Sequence, residues 1–107
     1  MAGFAIIDWT IRRSGVTAYI QTIEVAPEAR GQGVGHELLG RIEGSACEAG
    51  ACLFWLHVEA ENATAIRLYE ASGYRCEGRE ENYYPLGRAA LIYVKRLEMK
   101  VHDVIIF

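Results

Sequence analysis

Little in this sequence could hold a metal or a disulfide framework. Its three cysteines, Cys47, Cys52 and Cys76, are odd in number and stand at no metal-ligand spacing. They read as buried thiols of a reducing compartment, so neither a staple nor a metal site is expected. Basic charge is scarce too: 11 Lys and Arg stand against 14 Asp and Glu, for a net charge of −3, and no stripe of Lys or Arg offsets the average. A nucleic acid backbone would find no field to hold it. The N-terminal apolar stretch Phe4-Ala5-Ile6-Ile7 is stopped at once by Asp8. That is far short of a signal-peptide core or of the about 20 residues a membrane span needs, so a cytoplasmic chain without membrane contact is expected. Repeats and low-complexity linkers are also missing, and 107 residues make one domain, 1–107, near the size where the buried fraction becomes limiting.

What the sequence does have is a clear alternation of strand and helix patterns. Residues Gly3 to Ile11 and Val16 to Val25 are β-branched and aromatic runs joined by Arg12-Arg13-Ser14-Gly15, which reads as a β-hairpin. Val34, Leu38, Ile42 and Ala46 recur every four residues, with Leu39 and Cys47 beside them, the period of a helix laid on a sheet and ending near Gly50. Gly40 and Gly44 inside it each cost up to about 1 kcal/mol relative to Ala unless they permit close packing. Ala51 to Val58 is nearly continuous in apolar residues, as for a central strand covered on both faces. Asn62 can cap a short helix through Ser72, with Gly73 as a left-handed C-cap. Strands Tyr74 to Arg79 and Ala89 to Leu97 bracket a Tyr-Tyr-Pro-Leu-Gly turn, giving the order β-β-α-β-α-β-β.

Between the second strand and the first helix lies Arg30-Gly31-Gln32-Gly33-Val34-Gly35. Glycines at alternate positions let the backbone approach a ligand with no Cβ in the way, and the mouth of a helix presents unpaired N–H groups. With the helix dipole pointing the same way and Arg30 as a charged supplement, the run is a cradle for a pyrophosphate. A Walker loop would continue with Lys-Ser or Lys-Thr, whereas His36-Glu37 follows Gly35, and a dinucleotide fold would want a later ribose-binding acid in a long βαβ unit.

The cradle resembles the acetyl-CoA signature Arg/Gln-x-x-Gly-x-Gly/Ala of the GCN5-related N-acetyltransferases (GNAT). The run from Asn62 to Tyr74, Asn-Ala-Thr-Ala-Ile-Arg-Leu-Tyr-Glu-Ala-Ser-Gly-Tyr, is similar to the family's Asn-x-x-Ala-x-x-Leu-Tyr-x-x-x-Gly-Phe/Tyr, in the family's order and at its usual separation. Asn82-Tyr83-Tyr84-Pro85 resembles the ribosomal-protein alanine N-acetyltransferase branch. The resemblance covers Gly3 to Leu97 and implies a mixed α/β (α+β) fold, a mostly antiparallel sheet flanked by two helices. The family's first strand, two helices and second strand would precede residue 1, so the domain is expected to be N-terminally short.

The implied activity is transfer of an acetyl group from acetyl-CoA to a primary amine, a protein N-terminus or a small amine, by direct attack in a ternary complex. The resemblance assigns cosubstrate binding to Ile23 and Val25 on the strand end, to Arg30, Gly31, Gln32, Gly33, Val34, Gly35 and His36, and to Asn62. Tyr69 matches the family tyrosine that protonates the departing thiolate. His57 stands where the alanine N-acetyltransferases carry a catalytic glutamate. A histidine can take a proton at neutral pH, but Glu59, two residues on along the same face, or Glu24 on the neighbouring strand could serve through water. Tyr83 and Tyr84 match aromatics that line the acceptor slot, while Arg88-Ala89-Ala90 replaces acids common there in relatives. Each residue also has an ordinary structural reading: a glycine-rich turn, a helix cap, core tyrosines, a hydrogen-bonded core histidine.

With those elements missing, the first strand becomes a bare edge, and the tail Val104-Ile105-Ile106-Phe107 is unusually apolar for a terminus. Pairing two copies would cover both, so a homodimer is expected, the competing arrangement being a tail folded over its own sheet. Two other functions compete with catalysis: a non-catalytic acyl-CoA-binding module and a fragment completed by a partner chain.

Overall fold

The computed structural model describes residues 3–12, 15–48 and 50–97. Its elements follow the expected order: β1 (Gly3–Arg12), β2 (Gly15–Val25), α1 (Val34–Glu48), β3 (Ala51–Glu59), α2 (Ala63–Ala71), β4 (Arg75–Glu80) and β5 (Ala90–Arg96), with short 3-10 turns at Pro27–Ala29 and Pro85–Gly87. The five strands form one sheet in the order β1-β2-β3-β5-β4. All neighbours are antiparallel except β2 and β3.

The connections put both helices on one face. β2 to β3 and β3 to β4 are crossovers between parallel strands that step the same way along the sheet, and right-handed crossovers then place α1 and α2 on the same side. Phe54, Leu56 and Val58 of β3 face them, together with Ala18 and Ile20 of β2, Tyr93 of β5, and Leu39, Ala46 and Tyr69 from the helices. Phe54 is fully buried, and burial of such a side chain contributes about 1.5–3 kcal/mol. Lys95 of β5 ties the helices together: its Nζ donates to Glu43 Oε1 of α1 at 2.9 Å and to the Ser72 carbonyl at the end of α2 at 2.7 Å. Tyr74 adds a bond to the other Glu43 oxygen at 2.8 Å.

One detail departs from the sequence reading, and the helix glycines sort into two kinds. Cys47, Cys52 and Cys76 are free and exposed rather than buried, because Cys47 faces outward on α1, Cys52 sits at a register shift between β2 and β3, and Cys76 is on the edge strand β4. Gly40 and Gly44 serve no close packing, since a Cβ on either would meet nothing within 4 Å among the described residues. Gly35, by contrast, does: its Cβ would lie 3.1 Å from Leu68 Cδ2, so it lets α1 approach α2. β1 is an outer strand, as expected, with Phe4, Ile6, Trp9 and Ile11 exposed. The apolar tail and the centre of the hairpin link lie outside the described residues.

Candidate active site

The first half of the site follows from a failure of two strands to stay together. β2 and β3 pair only from Val16 opposite Ala51 to Tyr19 opposite Trp55. β2 then continues along β1 alone, through a bulge that leaves Gln21 without an opposite residue. The wedge between the strands opens into a cleft of about 630 Å³ lined by Ile23, Glu24 and Val25, by Arg30, Gly31, Gly33, Val34, Gly35 and His36, and by Asn62, Leu68 and Tyr69 of the second helix. Almost every residue assigned to the cosubstrate is therefore gathered in one place. Gln32 is the exception, its amide turned back to the Glu28 carbonyl at 3.1 Å.

Main chain makes the cradle. Gly31 and Gly33 have φ of +79° and +77°, a conformation that side-chain-bearing residues rarely adopt, and the space where a Cβ would stand is open in both. The first intrahelical bond runs from the Glu37 amide to the Gly33 carbonyl at 3.0 Å, which leaves the amides ahead of it without a helical partner. These donors and the open space above them fit a pyrophosphate. Arg30 is exposed and bonds the Val25 carbonyl through Nε at 3.2 Å, which lays its side chain along the cleft wall. His36 bonds Ser72 Oγ through Nδ1 at 3.0 Å and joins the mouth of α1 to the end of α2. Asn62 does cap α2, its Oδ1 accepting from the Ala65 amide at 3.1 Å, and it also lines the cleft.

Tyr69 is both a core residue and a cleft residue. It is 8% exposed and packs near the rings of Tyr74 and Tyr93, with its surface turned to the cleft. Burial raises its pKa above the usual phenol value, and the neighbouring Tyr84 and Glu24 push in the same direction. It therefore stays protonated at neutral pH.

The second half lies on the sheet face opposite the helices. Tyr19, Trp55 and His57 point there because their chain neighbours Ala18, Ile20, Leu56 and Val58 point into the core. The Tyr19 ring centroid is 4.4 Å from that of Trp55, and its hydroxyl is 2.7 Å from His57 Nδ1. His57 Nε2 is 3.1 Å from Glu80 Oε1 on β4, and Tyr83 stacks on the imidazole at 4.2 Å with a 12° tilt. Tyr84 meets Tyr83 edge-on at 4.9 Å. Burial raises the Tyr19 pKa, with the Tyr83 hydroxyl adding to it. Tyr84 is raised by burial first and then by Tyr83 and Glu59. Tyr19 and Trp55 are the last paired residues of β2 and β3, so the aromatic group begins where the wedge of the cleft opens.

The three base candidates fare differently. His57 is held at both nitrogens, Glu59 is held by Arg88 Nη1 at 3.2 Å to each carboxylate oxygen, and Glu24 lines the cleft with Thr22 Oγ1 donating to it at 3.0 Å. Sequence reasoning missed Tyr19, Trp55 and Glu80. A signal existed for Tyr19 and Trp55, which alternate with core residues along their strands, but Glu80 depends on a register that only the folded sheet sets.

The profile of the acetyltransferase (GNAT) family matches residues 1–74. The [ribosomal protein bS18]-alanine N-acetyltransferase of Escherichia coli K12 is 36% identical over 85 residues, covering 79% of this chain and 55% of the relative. The crystal structure of the E. coli ribosomal-protein-S18-alanine N-acetyltransferase superposes with a TM-score of 0.80 at 31% identity, over 99% of this chain and 68% of that one. Streptothricin acetyltransferase of Streptomyces lavendulae is 37% identical over 84 residues, 78% of this chain and 43% of the relative. Arabidopsis thaliana Naa50, solved with the bisubstrate analogue CoA-Ac-MVNAL, superposes with a TM-score of 0.80 at 28% identity, over 90% of this chain and 66% of that one. The chain spans about half the length of the curated relatives it matches.

Proposed function

Because this chain belongs to the acetyltransferase (GNAT) family, we propose that it transfers an acetyl group from acetyl-CoA to a primary amine by direct attack in a ternary complex. The observation that carries the reading is the pairing of a main-chain anion cradle with a hydroxyl–imidazole pair, Tyr19 and His57, on the adjoining sheet face. Bound acetyl-CoA supplies the activated thioester. The cradle amides and Arg30 hold its pyrophosphate, and the unpaired length of β2 from Ile23 to Val25 offers main-chain groups along the wedge.

An ammonium acceptor must lose a proton before it can attack. Tyr19, held neutral by its raised pKa, takes that proton at its oxygen while giving its own to His57 Nδ1, so the charge ends on the imidazole. Glu59 is occupied by Arg88, and Glu24 stands on the cleft wall with Thr22 donating to it. Tyr69 serves the leaving sulfur. A phenol above its usual value of about 10 does not fully surrender its proton to a thiolate near 8.5, so it hydrogen-bonds the developing charge. The sulfur ends protonated by the proton that the attacking nitrogen sheds as the amide forms. These residues manage the protons, and the proposal assigns no step to a metal.

Tyr83 stacks on the imidazole with Tyr84 edge-on behind it, a surface that suits an extended peptide, so a protein N-terminus is the favoured acceptor. The bS18-alanine N-acetyltransferase and the Naa50 structure with its peptide-bearing analogue support that choice, and streptothricin acetyltransferase supports a small amine. The proposal extends to a cytoplasmic homodimer joined through the β1 edge with Phe4 and Ile6 on its surface. Light scattering on the chain reads this directly, and a monomeric mass at working concentration removes the dimer. The activity itself is tested by thiol release from acetyl-CoA with a peptide panel and a panel of small amines. Turnover on peptides that drops in Tyr69→Phe with CoA affinity unchanged is the expected result. Tight CoA binding without turnover on any amine would instead make the chain an acyl-CoA-binding module.

A further inference from the structure

We propose that Glu80 is the positioning residue of the base, completing a carboxylate–imidazole–hydroxyl series Glu80–His57–Tyr19. The inference rests on the reading of His57 as the proton acceptor. A carboxylate only accepts hydrogen bonds, so Glu80 Oε1, 3.1 Å from His57 Nε2, requires the hydrogen to sit on Nε2. Nδ1 is then the bare nitrogen, and Tyr19, 2.7 Å away, is the donor to it. Without Glu80 the neutral ring is free to carry its hydrogen on Nδ1 and face Tyr19 with a donor, a form that cannot take a proton from it. Tyr83, stacked at 4.2 Å, fixes the ring plane, so the orientation is determined from two ends and one face.

The strand geometry aims Glu80 at this task. Along β4 the register slips by one residue, from Cys76 opposite Tyr93 to Gly78 opposite Ile92, leaving Glu77 as a bulge. The slip brings Glu80 opposite Ala90, which lies opposite Glu59 on β3, two residues from His57. Bulges re-aim side chains in this way. Gly78 lets the strands close at the same point, since a Cβ there would stand 3.1 Å from Ile92 Cδ1. The Glu80 side chain is 48% exposed while that of His57 is 9% exposed, so the carboxylate reaches inward from the rim rather than belonging to the core.

During transfer an N–H bond of the ammonium breaks as an O–H bond forms on Tyr19, the original Tyr19 O–H breaks as an N–H forms at His57 Nδ1, and the resulting imidazolium keeps its Nε2–H on an ionised Glu80. No proton passes to Glu80. Its work is to set the tautomer beforehand and to face the cation afterwards.

The test is a double-mutant cycle on the intact chain, read by acetyl transfer and by ¹⁵N NMR of the imidazole. Glu80→Ala is expected to lower kcat by about tenfold or more with CoA affinity unchanged, because the wrong tautomer cannot take the proton from Tyr19. Nε2–H should dominate in the parent chain and give way to a mixture in Glu80→Ala, whereas Glu80→Gln, whose carbonyl still accepts from Nε2–H, should recover part of the rate. In a His57→Ala background, removing Glu80 should cost nothing more. An unchanged tautomer in Glu80→Ala, or a full additional loss on top of His57→Ala, overturns the proposal. Full turnover in His57→Ala would overturn the reading of the base itself, and the NMR comparison would still judge whether Glu80 sets the tautomer.

Discussion

The cleft and the proton-handling face are two halves of one site built by opposite means. The cradle is a continuous stretch of main chain, Arg30 to His36, shaped by two left-handed glycines and a helix mouth. The relay is made of side chains, one each from β2, β3 and β4 with Tyr83 from the following loop, and no two are neighbours in sequence. A backbone site tolerates almost any side chain around it and fails when a glycine is lost. A side-chain site fails one functional group at a time, and its backbone acts only through the register that aims each group.

The sharpest way to break the comparison is to remove the imidazole. His57→Ala is expected to reduce kcat by about 10²- to 10⁴-fold, the range for a positioned general base, while CoA affinity measured by calorimetry stays put. A joint loss of affinity would mean that the halves are not separable. The converse change is Gly33→Val. A β-branched residue at φ +77° costs about 1–3 kcal/mol, and its side chain enters the space above the cradle amides. CoA affinity should fall about tenfold or more, and kcat at saturating acetyl-CoA should change far less.

A smaller effect comes from the core between the helices and the sheet and is read by pH. Tyr93 is pushed up to about 12 by burial and by its bond to Glu70, and Tyr69 and Tyr74 on the same helix side are raised chiefly by burial. In the unfolded chain these phenols titrate near 10, so above that pH the unfolded form holds fewer protons than the folded one and stability falls as pH rises. Their contribution is intact below about pH 10 and lost progressively toward pH 12. Urea midpoints at pH 8, 10 and 11.5 should decline only over the last interval. Tyr93→Phe should flatten that decline.

The smallest change distinguishes glycines that look alike in sequence. Gly40→Ala or Gly44→Ala should stabilise the fold by up to about 1 kcal/mol, because neither Cβ meets a neighbour within 4 Å among the described residues. Gly35→Ala should give no such gain, since its Cβ would press on Leu68 at 3.1 Å. Thermal melts of the three variants decide it.

Those glycines mark how far the chain could be read in advance. Strand and helix order, the hairpin, the cap at Asn62 and the cradle all depend on local rules: alternation, a 3.6-residue period, a side chain bonding its own helix, a left-handed turn. Such rules act over a few residues, so the linear pattern contains them. The exposure of the three cysteines was misread because burial is decided by which face an element turns inward, and residue type is only a weak guide to that.

Everything that makes the second half of the site needed the sheet. Tyr19 and His57 are 38 residues apart and meet because β2 and β3 pair in parallel just up to Tyr19 opposite Trp55. Glu80 reaches His57 through a strand inserted between them and a one-residue bulge, and a register without that slip would send its side chain to the other face. The identity of each residue, and the chemistry open to it, was written in the chain. Its partner was set by register and crossover handedness, which arise only when strands distant in sequence are packed over a common core.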